Sequence, residues 1–143
     1  MGRVLMTLAT LIYGVIPPIV DLGATHVLHP DWTPHARMHV VWLLATMSSM
    51  SLLALYFLWR HADRSFGVSM GGLLGTCALG GFFVSAATAP LYGGSLSDKG
   101  GVPDVAGFID ANLLGFGIAA AMLLVGWFLA RPKGAGRAHS GVA

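Results

Sequence analysis

Four apolar stretches, Val4–Val20, Met38–Trp59, Phe66–Leu91 and Val105–Ala130, leave this chain little choice of solvent. Each comes close to the roughly 20 residues that, at about 1.5 Å per residue, cross a hydrocarbon core about 30 Å thick. Composition points the same way: 55% of the residues are apolar and 10% charged, whereas a water-soluble domain carries roughly a quarter charged. The expected fold is all-α, an integral membrane four-helix bundle in one domain over residues 1–131, with spans at about 4–22, 34–59, 66–91 and 104–130. Residues 132–143, rich in Gly and other small residues, read as a flexible cytoplasmic tail. The first span follows Arg3 as a signal peptide would, but in a chain that starts at Met1 it is read as a retained helix.

Charge orients the spans. Arg3, Arg60, Arg64, Arg131, Lys133 and Arg137 flank one set of helix ends, against Arg37 and Lys99 at the other. Basic loops stay on the cytoplasmic side, so both termini are expected there, in a bacterial inner membrane. Trp59 and Trp127 at the inner ends, with Trp32, Trp42 and Tyr92 at the outer ends, suit interfacial belts. The net charge of +2 is thereby explained as orienting charge, and no nucleic-acid partner is expected. Cys77 is the only cysteine and reads as a small packing residue.

Gly67, Gly71 and Gly75 repeat at four-residue spacing in the third span, as do Ala111, Gly115 and Ala119 in the fourth. Such stripes let helix backbones approach. The alternative is that they make room for a flat apolar ligand.

The stretch from Asp21 to Trp42, DLGATHVLHPDWTPHARMHVVW, holds four of the six histidines. Thr33 before Pro34 reads as an N-cap and first helical residue, so the second helix should begin there. His35 and His39 then share a helix face one turn apart, with Trp42 further along it. At a helix N-terminus the dipole favours neutral imidazole, the form that binds a metal or accepts a proton. Pro17 and Pro18 are expected to bend or end the first helix just before Asp21, a carboxylate that needs a partner at that depth. With the fourth helix starting near Pro103, Asp110 would lie about two turns inside it; Asn112, about 200° away on the wheel, would face elsewhere. Ser85 and Thr88 complete the polar residues of the outer end. His61 and His139 read as solvated. Helices one, two and four would each bring an imidazole or carboxylate to one end of the bundle.

Three chemistries follow. His35, His39, His26 and Asp21 are candidate ligands for a transition metal, zinc, copper or iron. The HARMH segment is not a zincin motif, because Ala36 stands where the general-base glutamate would be, and a single histidine pair lacks the repeated boxes of membrane desaturases. Alternatively His35, His39, Asp21 and Asp110 form a metal-free acid/base site for a lipid or other hydrophobic small molecule entering from the outer leaflet. Haem is a weaker fit, since only His39 lies clearly within a span. The bland alternative is a knotted loop in which Asp21 pairs with Arg37, on a non-catalytic accessory subunit of a larger membrane complex or in a homo-oligomer. A transporter is disfavoured by the small number of spans and the lack of an inverted repeat.

The run THVLHPDWTPHARMH, preceded by Asp21, resembles the hallmark of a family of small, uncharacterised four-helix membrane proteins of bacteria and fungi. The matching positions are Asp21, Thr25, His26, Pro30, Trp32, His35, Ala36, Arg37 and His39. The resemblance implies a helical membrane fold and carries no activity with it.

Overall fold

The computed structural model describes residues 1–97 and 101–131. Among them the chain forms α1 (Gly2–Asp21), α2 (Pro34–Arg60), α3 (Arg64–Thr88), which runs on into a 3₁₀ turn at Ala89–Leu91, and α4 (Ala111–Ala130). The tail expected over 132–143, and Lys99, expected at the outer side, lie outside the described residues.

Three of the four helices begin on a side-chain oxygen that satisfies an otherwise orphaned amide. Thr33 Oγ1 accepts from the Ala36 N–H at 3.2 Å, with Pro34 as the first helical residue, as the sequence indicates. The Asp63 carboxylate accepts from the N–H groups of Ser65 and Phe66 at 2.8 and 3.0 Å. The Asp110 carboxylate accepts from the Leu113 N–H at 2.9 Å.

That last cap corrects the expected start of the fourth helix. Residues 104–110 do not extend α4; the Val105 N–H bonds back to the Ile109 carbonyl at 2.7 Å around a tight turn. Ala106 and Gly107 take positive φ values of 55° and 77° there, a backbone region that a right-handed helix cannot use. Asp110 therefore sits at the mouth of α4 and not two turns within it.

Pro17 and Pro18 stand in the last turns of α1, which ends shortly after them at Asp21. Pro18 has no N–H to offer the carbonyl of Gly14. The Ser48 hydroxyl of α2 donates to that carbonyl instead, at 3.1 Å. Gly14 also lacks the Cβ that would collide with Ser51, so the two helices meet closely where α1 is weakest.

α1 is the hub of the bundle and packs against the other three helices. Its buried residues Gly2, Met6, Ala9, Tyr13 and Pro17 recur every three or four positions, forming one stripe. Met6, Ala9 and Tyr13 meet Leu58, Val68, Leu79 and Leu123 in the core. Four of the α3 glycines serve close packing inside the chain. Gly67 and Gly71 lie against Phe57 and Leu58 of α2, and Gly72 and Gly75 against Trp127 and Leu123 of α4. Cys77, expected to pack inside, is exposed.

The outer surface is apolar. All four helices are long and apolar enough to cross a membrane, yet only 17% of the most apolar stretch of α2, and likewise of α4, is buried within the chain. The remaining apolar surface greatly exceeds what a water-soluble monomer leaves exposed.

Candidate functional site

Asp63 and Asp110 stand at helix N-termini, where the backbone dipole favours a carboxylate. Asp21 stands at the opposite kind of end. It is the last residue of α1, with no basic residue in the final turn, so the local carbonyls oppose its charge. Relief comes from the following loop. His26 Nδ1 lies 3.6 Å from Asp21 Oδ1, and Thr25 Oγ1 lies 3.0 Å from the same ring nitrogen. The loop is folded onto this spot by the Val27 N–H, which donates to the Asp21 carbonyl at 3.0 Å, and by His26 against Trp32, ring to ring at 5.5 Å.

Asp21 also lines a cleft of about 190 Å³ between α1 and α4. Ile12, Ile16 and Val20 form one wall, Gly115 and Phe116 the other, and Val102 of the α3–α4 loop also lines it. Phe116 is held by stacking on Phe82, with ring centres 4.2 Å apart. A Cβ built on Gly115 would meet nothing within 4 Å among the described residues. The polar exceptions are Asp21 and Asn112, whose amide donates to the Leu96 carbonyl at 2.8 Å and so ties the α3–α4 loop to the cleft. The arrangement is an apolar slot with a carboxylate at one end and an imidazole beside that carboxylate.

The remaining candidates go elsewhere. His35 and His39 are exposed on the first turns of α2, with Nε2 atoms 3.0 Å apart. Asp110 is engaged as the cap of α4. Among the described residues no three His, Cys, Asp or Glu side chains gather as a metal-holding group. The expected single cluster thus resolves into two pairs, Asp21 with His26 and His35 with His39. Arg37, offered as a partner for Asp21, instead donates to the His29 carbonyl at 2.8 Å and braces the loop. Thr88 bonds the Val84 carbonyl of its own helix, and Ser85 lies against the Tyr92 hydroxyl at 2.8 Å.

Asn112, Gly115 and Phe116 enter the site in place of Asp110. Asp110 caps α4 from outside its helical turns, so the wheel spacing drawn for a helix from Pro103 does not hold for it, while Asn112 on the first turn lines the cleft.

A family model described as a family of unknown function, DUF6640, matches residues 5–103, more than two thirds of the chain. The chain belongs to DUF6640. The match takes in α1, α2 and α3 together with Asp21, His26, His35 and His39, and ends before the α4 wall of the cleft. It agrees with the resemblance to an uncharacterised family. No curated protein and no solved structure matches the chain.

Proposed function

We propose that this DUF6640 chain is an integral membrane protein with both termini in the cytoplasm, and that its α1–α4 cleft binds a small apolar molecule bearing a hydroxyl or an amine. In this reading Asp21 and His26 are the acid–base pair at the mouth of the cleft. The orientation rests on arginines: Arg3, Arg60, Arg64 and Arg131 all flank helix ends at the end of the bundle opposite Asp21. Arg3 lies over the Trp59 ring at 4.0 Å and Arg131 over Trp127 at 4.9 Å, the pairing of cation and aromatic ring that suits a headgroup layer.

The observation that carries the binding proposal is Asp21 itself. A carboxylate 27% exposed, at the disfavoured end of a helix and at the end of an apolar slot, is costly unless something pairs with it. His26 supplies part of that pairing, and a ligand hydroxyl or amine would supply the rest. A carboxylate and an imidazole in contact can pass a proton to or from such a group. At about 190 Å³ the cleft falls below the roughly 300–1,000 Å³ of pockets for drug-sized ligands. It takes one ring or the end of a chain rather than a whole lipid. The accessory-subunit reading draws less support, because Gly67, Gly71, Gly72 and Gly75 of α3 are met by the chain's own α2 and α4.

The test is photolabelling in lipid nanodiscs with a diazirine-bearing alkylamine. Labelling should concentrate on peptides containing Ile16 and Phe116, fall when Gly115→Leu fills the slot, and weaken with Asp21→Asn. Uniform labelling of the lipid-facing surface, indifferent to Gly115→Leu, would sink the proposal.

A further inference from the structure

His35 and His39 stand on the exposed side of α2, outside the residues that line the cleft, and the acid–base reading does not use them. We propose that this pair chelates a single divalent transition-metal ion, with copper(II) the best fit.

The distances carry the argument. The two Nε2 atoms are 3.0 Å apart. With metal–nitrogen bonds of about 2.0–2.1 Å, that separation subtends about 95° at a shared ion. This is close to the right angle between neighbouring ligands of a tetragonal copper or nickel site. A tetrahedral zinc site would spread the nitrogens to about 3.3 Å. The ring centres agree: they lie 4.5 Å apart with the ring planes at 90°. Two imidazoles aimed at one such ion would place their centres about 4.7 Å apart, whereas rings meeting head-on across the same nitrogens would place them about 5.3 Å apart. The imidazoles are therefore tilted off the line joining their nitrogens, and the separation of their centres is compatible with a shared ion.

The scaffold fixes this geometry. Four-residue spacing on a capped helix stacks the two side chains one turn apart, and the Trp42 ring lies against His39 at 5.9 Å with the planes 30° apart. Without a metal, one Nε2 donates its proton to the other. Binding asks that ring to carry its proton on Nδ1 instead, which leaves its charge unchanged and presents two Nε2 lone pairs to the ion. No third His, Cys, Asp or Glu joins the pair among the described residues. The remaining coordination positions are left to water or to an anionic oxygen from the surroundings. A two-nitrogen site of this kind favours the strongest binder of the divalent series, copper(II), and holds it exchangeably.

The experiment uses the full chain without a polyhistidine tag, in detergent, titrated with copper(II) sulfate and read by electron paramagnetic resonance and tryptophan fluorescence. One copper per chain is expected, with hyperfine coupling to two imidazole nitrogens and quenching of Trp42. His35→Ala or His39→Ala should each weaken binding at least about tenfold, the smallest cost typical of losing even a supporting group at a metal site, and should leave a one-nitrogen spectrum. Circular dichroism confirms that each variant keeps its helices. His26→Ala, which alters the cleft mouth, should change neither the stoichiometry nor the spectrum. A two-nitrogen spectrum that survives in the His35→Ala/His39→Ala double variant would overturn the proposal, as would a wild-type chain that never saturates with copper. Neither result bears on alkylamine labelling of the cleft.

Discussion

The α1–α4 pair is one interface with two characters. At the Arg3 end the helices touch backbone to backbone, since a Cβ on Gly126 would run into the Gly2 carbonyl and the side chains of Leu5 and Met6. At Gly115, eleven residues or about 16 Å back along α4, a Cβ would meet no described atom within 4 Å. The helices part between these points, and the gap is the cleft that ends at Asp21. Two glycines in one helix thus do opposite things. One allows contact and the other preserves a space, and their identity as glycine does not say which.

Substitutions can break that contrast. Gly126→Leu should have the largest effect, because the added side chain has nowhere to go; overpacking of this kind costs about 1–3 kcal/mol, read as a lowered thermal midpoint in detergent. An unchanged midpoint would mean that the Arg3 end is no tighter than the other. Asp110→Ala removes the cap of α4 and should cost about 1 kcal/mol, while Asp110→Asn retains most of that stability. Neither change should alter alkylamine labelling if Asp110 is a cap and not part of the slot; a loss of labelling with intact stability would return Asp110 to the site. Ser48→Ala strips the hydroxyl from the Gly14 carbonyl and should cost about 0.6 kcal/mol, the average for interhelical hydrogen bonds in membranes, measured by the same unfolding assay. Gly115→Ala should shift stability least, by about 0.4 kcal/mol toward gain, the low end for a Gly-to-Ala exchange that the native backbone accepts. A clear destabilisation there would show that the cleft is closed in solution.

Much of this fold is legible in the sequence, because length and apolarity settle what a membrane-length helix is. Thr33 and Pro34 mark the start of α2 for the same local reason that the structure confirms. The start of α4 is hidden, because Val105, Phe108 and Ile109 are as apolar as the helix that follows and the turn between them depends on backbone angles. The passage of α1 through two prolines is hidden for a different reason: its remedy, Ser48, is 34 residues away. The polar cluster is legible as an inventory and not as an arrangement. Helical spacing fixes the His35–His39 pair, whereas the pairing of Asp21 with His26 and the facing of Asn112 depend on a folded loop and on where α4 begins.

The bond from Ser48 to the Gly14 carbonyl also has a consequence for how the protein is made. A helix inserted alone into lipid must satisfy its own backbone, and α1 cannot do so at Gly14, whose carbonyl faces Pro18 and finds no N–H within the helix. In the proposed membrane setting that carbonyl waits for Ser48 of α2, and the first two helices would mature as a hairpin. The ground on which Asp21 stands is laid only once the second segment has arrived beside the first.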